Sequence, residues 1–306
     1  TILSSTSMLE LAEVPKSLVV IGSGAVGVEF ASMHARFGAK VAIIEVLPRI
    51  VPVEDEDISR ELAAAFKRQG IAIYPDTRVE RIARTGSGVE ILARSAGDKT
   101  ETFRAEKVLM AVGRRPLSDG IGLEAMGIAT EKGYIPVDAF MRTNVPGVYA
   151  IGDVIPTQAL AHLASAEGVV AVEHMAGKET RPINYDQVPG CTYCAPEVAS
   201  VGLTEAKARE RGYDVSVGKF PFSAVGKARI INETTGFVKI VGEKKYDEVL
   251  GVHIIGPKAT ELIAEAGAAL RLEATSEEIV RTIHAHPTLS EAMHEAAEAV
   301  SGHSIH

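Results

Sequence analysis

Apolar and polar positions change period several times along the 306-residue chain, and each change marks an element. Residues 18–22 (LVVIG) run apolar without a break, the pattern of a parallel strand buried on both faces. Glycines follow, then a helical spacing that lasts to about Phe37 and is closed by Gly38. A second buried strand, AKVAIIE, comes next. EDEDISRELAAAFKRQG predicts a helix, with acids in its first turn, bases in its last and Gly70 as the stop. Alternating runs at Arg78–Arg84 and Gly88–Arg94 predict an antiparallel meander ahead of a strand in KVLMAVG. Residues 1–113 therefore read as one α/β domain.

From residue 114 to 184 the character differs. TNVPGVYAIGDV predicts a turn and a short buried strand, and ALAHLASAEGVVAVEHMAG predicts a buried helix. From 185 to 306, short strands (ASVGL, VSVGKFPF, GFVKIV, VLGVHIIG) alternate with helices at 204–211, 259–272, 276–282 and 289–300. Helices beside a largely antiparallel sheet make this an α+β domain. There is no internal repeat and no low-complexity stretch.

Composition narrows the partners. The chain is 46% hydrophobic with a formal charge of −8 and no basic arm, which argues against nucleic acid or an anionic membrane as the main partner. No apolar run approaches the roughly 18–20 residues of a membrane span, and no signal peptide opens the chain. It begins TILSSTSMLE, without Met, and enters a nucleotide-binding strand almost at once, so a fragment is expected.

Gly22-Ser23-Gly24-Ala25-Val26-Gly27 fits G-x-G-x-x-G between a strand and a helix, the context that pattern needs. The first glycine allows the tight turn, the second lets backbone approach a pyrophosphate, and the third lets helix pack on strand. The helix N-terminus supplies N–H groups and partial positive charge. Glu45 ends the next strand; a carboxylate there accepts from ribose hydroxyls and repels a 2′-phosphate, which favours NAD over NADP. Arg49, nearby, does not remove that repulsion.

Two cysteines, Cys191 and Cys194, are too few for a disulfide framework and point to a reducing compartment. Their C-x-x-C lies in extended chain around Pro189, Gly190 and Pro196, not at a helix start that would lower a thiol pKa. Zinc would need two further ligands. Both are expected to be free thiols, and no metal site is expected.

His286 of HAHPTLSE reads as core, metal ligand or base. An imidazole suits proton transfer near neutrality if a partner fixes its tautomer. Glu291 could be that partner, but its spacing alone favours a capping box with Thr288 as N-cap. His284 is read as a bystander.

VVIGSGAVGVEFA, VLMAVGRRP, TNVPGVYAIGDV, LAH, CTYCAPEVASVGLTE and HAHPTLSEA together resemble the C-terminal two-thirds of a dihydrolipoyl dehydrogenase, in the two-dinucleotide-binding flavoprotein disulfide reductases. The resemblance spans nearly the whole chain in the family's order. It implies a Rossmann-like NAD domain (1–113), the C-terminal part of the FAD-binding region as a central domain (114–184), and an interface domain forming a homodimer (185–306). Gly22, Ser23, Gly24, Ala25, Val26, Gly27, Val28 and Glu29 would line NAD, Glu45 would hold its adenosine ribose, and Val79 and Gly113 would flank it. Asp153, Ala159, Leu160, Ala161 and His162 would meet FAD, although Ala159 stands where the family often has Met, and IPTQ replaces a Gly-Pro-containing run.

The family's histidine–glutamate pair falls on His286 and Glu291, where the histidine takes the proton of dihydrolipoamide at the partner subunit's disulfide. The family's other glycine loop and its C-x-x-x-x-C redox pair are not among these residues. The expectation is a dihydrolipoyl dehydrogenase lacking its N-terminal FAD and disulfide portion. It would serve a lipoyl protein of a 2-oxo-acid dehydrogenase or glycine-cleavage complex, in bacterial cytoplasm or mitochondrial matrix. A dimerising NAD-binding fragment and another reductase of the superfamily are the alternatives.

Overall fold

The computed structural model describes residues 1–303, which divide into two compact units, one of 1–113 with 189–303 and one of 114–188. The first unit opens with β1 (Ile2–Leu3), α1 (Ser5–Leu9), β2 (Ser17–Ile21), α2 (Ala25–Arg36), β3 (Lys40–Ile44), α3 (Glu56–Arg68) and β4 (Ala72–Tyr74). The meander β5 (Arg78–Arg84), β6 (Val89–Arg94) and β7 (Thr100–Ala105) leads into β8 (Lys107–Met110).

These form a parallel sheet ordered β1-β8-β2-β3-β4 and a separate three-stranded antiparallel sheet. The unbroken apolar run has a simple cause. Leu18 and Val20 point to one face, among Val28 and Ala31 of α2 and Leu62 and Phe66 of α3. Val19 and Ile21 point to the other, among Val89 and Ile91 of the meander. Both faces are covered, so period-2 patterning disappears from β2. It survives in β6, whose residues alternate between buried and half-buried.

The 114–188 unit carries α4 (Ala161–Met175) and a small core of Leu123, Ile135, Met141, Ala150, Ile155 and Ala171. Two expectations change here. No strand forms in TNVPGVYAIGDV: the segment folds back on itself, with an isolated bridge of Arg142 to Tyr149 and a bond from Ala150 N–H to the Met141 carbonyl. Nor is α4 buried all round. Leu163, Glu167, Val170 and Ala171 face inward, while Val169, Val172 and Met175, spaced by three, are more than half exposed.

The first unit resumes with β9 (Gly190–Thr192), β10 (Glu197–Gly202), α5 (Glu205–Glu210), β11 (Val215–Pro221) and α6 (Gly226–Ile230). It continues through β12 (Phe237–Glu243), β13 (Val249–Gly256), α7 (Ala259–Arg271), α8 (Ser276–Arg281) and α9 (Glu291–Val300). The antiparallel sheet runs β11-β12-β13-β10-β9. One face packs on α7 and α9, through Ile263, Ala266, Met293 and Ala296. On the other, Val198, Phe237 and Ile255 join the core of α2 and α3. Every residue of β12 and β13 is therefore buried.

Burial catches a polar row as well. Lys239 pairs across the ladder with His253, and His253 with Ser200, so one charge and one imidazole sit inside the sheet. The Lys239 ammonium is 2.8 Å from Asp55, 3.0 Å from Asp57 and 2.9 Å from Glu205. Asp55 is at the same time the N-cap of α3, accepting from Asp57 N–H. A buried ammonium needs such partners to remain charged.

Candidate functional site

The glycine turn after β2 takes its shape from steric limits. A Cβ on Gly22, at φ +95°, would collide with the Ala111 carbonyl, and a Cβ on Gly27 with the Gly22 carbonyl. Around Gly24 a Cβ position has nothing within 4 Å, so backbone faces open space there. Gly24 caps α2 without a side-chain hydrogen bond, and the first helical bond runs from Val28 N–H to its carbonyl. The N–H groups of Ala25, Val26 and Gly27 thus precede the helical ladder and can serve an anion.

Glu45 lies just past β3, 6% exposed. One oxygen accepts from Ser23 N–H at 2.8 Å and the Ser23 hydroxyl at 2.6 Å, and the other from Leu47 N–H at 2.9 Å. A carboxylate has about four acceptor sites, which leaves room for a further donor such as a ribose hydroxyl. Val79 sits beside it: Thr77 N–H bonds the Glu45 carbonyl, and Val79 packs into the core of the meander. Gly113, at φ +136°, lies two residues beyond Ala111, which touches the glycine turn. Glu29 is placed differently from the turn residues. Its carboxylate accepts from Tyr193 N–H at 2.8 Å, tying α2 to the segment after β9. The residues present fit a dinucleotide: turn, helix start and acid converge.

In the 114–188 unit, Asp153 occupies a short 3-10 turn, largely exposed, 3.6 Å from Arg114. Ala159 is exposed, Leu160 is the N-cap of α4, and Ala161 and His162 open that helix on its exposed side. What orders this loop is a residue that sequence reasoning passed over. Fully buried Glu167 accepts from Gly152 N–H at 2.7 Å, the Thr157 hydroxyl at 2.9 Å and the Tyr185 hydroxyl at 3.4 Å. Burial, with Glu167 beside it, raises the Tyr185 pKa. An acid within an otherwise apolar helix pattern was the available signal.

The cysteines are free, with Cys191 half-buried and Cys194 buried. Cys194 donates to the Pro196 carbonyl at 3.1 Å, and burial pushes its thiol pKa up to about 12. Burial also raises Cys191.

At the end of the chain, His286 Nδ1 lies 2.8 Å from Glu291 Oε1 while the imidazole is 77% exposed. Glu291 Oε2 accepts from Thr288 N–H at 2.9 Å. Only half of a capping box is therefore present, because the Thr288 hydroxyl bonds Ala285 and Ser290 instead, and Ser290 is the N-cap. Burial alone would raise Glu291; the Thr288 N–H and His286 outweigh it and hold the carboxyl below its usual range. A neutral His286 that donates through Nδ1 leaves Nε2 as its basic nitrogen. His284 is held as well: its ring is 2.7 Å from Glu265 through Nε2 and 2.9 Å from the Thr282 carbonyl through Nδ1.

Residues 1–168 match the pyridine nucleotide-disulphide oxidoreductase family, and residues 188–297 match its dimerisation domain. This chain belongs to that family. It is 46% identical over 308 residues to a dihydrolipoyl dehydrogenase of Bacillus subtilis, covering 100% of the chain and 65% of the relative. It is also 46% identical over 307 residues to the mitochondrial dihydrolipoyl dehydrogenase of Pisum sativum, covering 100% of the chain and 61% of that protein. The chain thus spans less than two thirds of these relatives. Among solved structures, LpdA of Mycobacterium tuberculosis superposes with a TM-score of 0.89 at 29% identity, covering 97% of this chain and 64% of that one. No described helix of this family member is long and apolar enough to cross a membrane.

Proposed function

We propose that this chain is the NAD-binding and dimer-forming portion of a dihydrolipoyl dehydrogenase. The reaction is dihydrolipoyl protein + NAD⁺ → lipoyl protein + NADH + H⁺, on a lipoyl-bearing protein of a 2-oxo-acid dehydrogenase or glycine-cleavage complex. In this reading 1–113 holds NAD, 114–184 contributes to the FAD site, and 185–306 forms the homodimer. The setting is cytoplasm or mitochondrial matrix.

The observation that carries the reading is the exposed His286 held by Glu291 at 2.8 Å. Nδ1–H points at the carboxylate, so Nε2 is presented outward to take a thiol proton, and Glu291 stabilises the imidazolium that forms. The glycine turn and α2 start hold the NAD diphosphate, and Glu45 selects an unphosphorylated ribose. Bound flavin and a redox disulfide supply the two-electron relay between dithiol and nicotinamide. Asp153 and the start of α4 are the residues of this chain that would hold the flavin.

A second reading has its own support. The chain's only cysteines are Cys191 and Cys194, both with thiol pKa values raised by burial. By itself it would then bind NAD and dimerise without turnover.

The deciding experiment follows NADH formation from dihydrolipoamide in the complete flavoprotein, with and without His286→Gln. A fall of about 10²–10⁴-fold is expected for loss of a general base. An unchanged rate overturns the assignment, and a preference for NADPH points to another disulfide reductase. Isolated as it stands, the chain should bind NAD and show no flavin spectrum; colour and turnover would overturn the second reading.

A further inference from the structure

The segment that carries His286 has an unusual support. Between Ile279, in α8, and Leu289 no residue is fully buried, and Ile283 is 96% exposed. No apolar side chain anchors residues 281–288 in the core. One polar side chain does so: the His284 side chain is 7% exposed.

We propose that His284 and Glu265 are positioning residues for His286, an inner histidine–glutamate pair that sets where the outer pair His286–Glu291 stands. The inference rests on the reading of His286 as the base. Both atoms facing the inner ring are acceptors only: the Glu265 carboxylate at Nε2 and the Thr282 carbonyl at Nδ1. Both ring nitrogens must therefore carry hydrogen for both bonds to exist, which makes His284 an imidazolium. Glu265 lies in the middle of α7, and Thr282 caps the C-terminus of α8. The cation thus fixes the end of one helix to the flank of another, two residues before His286.

From α9, titratable groups also face His284. The His294 ring lies 5.7 Å away, with Glu298 at 4.0 Å from His294, and Glu291 adds negative charge from the outer pair. The Glu265 hydrogen bond, ahead of an opposing burial effect, keeps the His284 pKa above its ordinary value. The two pairs have different tasks. Both N–H groups of the inner ring are engaged, by Glu265 and Thr282, and its side chain is 7% exposed. The outer ring is 77% exposed.

Ring-nitrogen NMR of this chain labelled at histidine tests the proposal without any activity assay. In the unaltered chain His286 should show one tautomer, with hydrogen on Nδ1, and His284 should show both nitrogens protonated. Glu265→Ala should convert His286 to a mixture of tautomers and deprotonate His284 at neutral pH, with circular dichroism unchanged. If Glu265→Ala does not fold, His284→Gln replaces it and is read the same way at His286. Glu265→Asp should restore part of the Nδ1–H preference, which a purely structural loss would not do. A single, unchanged His286 tautomer in a folded variant overturns the proposal. That result would leave the dehydrogenase reading intact, and an inactive His286 would be seen only in the turnover assay.

Discussion

The Ser23 hydroxyl lies 2.6 Å from the Glu45 carboxylate, so a residue inside the glycine turn holds the acid that follows β3. The same oxygen takes Ser23 N–H, and Leu47 N–H takes the other. Glu45 is therefore pre-set before a nucleotide arrives, with the ordering cost already met by folding. Ser23→Ala removes one charge-assisted bond from a fully buried pair. Calorimetry of NAD binding to the isolated chain should show affinity lowered about tenfold, equivalent to ~1.4 kcal/mol. Unchanged affinity would mean that the backbone bonds alone orient Glu45.

Lys239, itself buried, is surrounded by the three carboxylates of Asp55, Asp57 and Glu205. Burial, the largest single effect, would raise Asp55 and Asp57, but the hydrogen bond and charge of Lys239 together with their other neighbours outweigh it and hold both pKa values low; Glu205 is lowered mainly by the same ammonium. Each of these acids contributes stability that is complete above its unfolded pKa of about 4. That contribution is lost as pH falls through the lower folded value. Half-buried Glu54 works in the opposite sense, its carboxyl raised by desolvation. Lys239→Met strands the acids, and urea unfolding at pH 7 should show a loss of about 3–5 kcal/mol. The variant should also lose less on acidification than the parent does. Equal acid sensitivity would place the titrating groups elsewhere.

Glu167 predicts a local effect. Glu167→Ala leaves the Gly152 N–H and two hydroxyls without their acceptor in the 114–188 unit. A cost of about 2–3 kcal/mol follows from an unsatisfied buried cluster. Hydrogen exchange should speed up at Gly152 and neighbouring amides while β12 and β13 keep their protection. Uniform loss across the chain would show that the loop is not separately held.

Sequence legibility followed what neighbours cover. β2, α2 and α3 were readable because local period, caps and glycines all agreed. The Gly22–Gly27 turn and Glu45 are readable because each lies within a short span of chain, whereas the spacing after His286 reads as a helix cap and only the resemblance singles out the His286–Glu291 pair. Lys239 could be seen as a lone charge in GFVKIV, but its partners Asp55 and Asp57 are more than 180 positions away at the start of α3, and only the packing of α3 on the antiparallel sheet unites them. Glu265, 19 residues before His284, is hidden for the same reason. The outer face of α4 misled because an apolar stripe reads as buried whether or not anything described here covers it.

Cys194 offers a chemical test of the C-x-x-C. With a thiol pKa of about 12, its thiolate fraction at pH 8 is about one in 10⁴, and the thiolate is the reactive form. Iodoacetamide with mass spectrometry should modify Cys191 slowly and Cys194 only after unfolding, with no disulfide in either state. Rapid labelling of Cys194, or a loss of two mass units, would make the pair redox-active after all.

Glu291 divides its carboxylate between a cap and a base, and one substitution separates the two. Thr288 N–H and His286 Nδ1 bond different oxygens of Glu291, and Glu291→Gln turns one of those oxygens into an NH2 donor, so only one of the two bonds is kept in this geometry. If it keeps Thr288, the helix start survives and the imidazole loses the charge that stabilises its protonated form. Stability of the chain should fall by only about 1 kcal/mol, the worth of one hydrogen bond. Dithiol oxidation by the complete flavoprotein should fall by about 10²-fold, since the group acts on proton transfer. The lowered Glu291 pKa adds a pH signature. Its stabilising contribution is full above an unfolded value of about 4.3 and disappears as pH drops through the folded one; Gln removes this from the acid limb. Losses of equal, modest size in Tm and in turnover would reduce Glu291 to a helix cap and leave His286 without the partner that makes it a base.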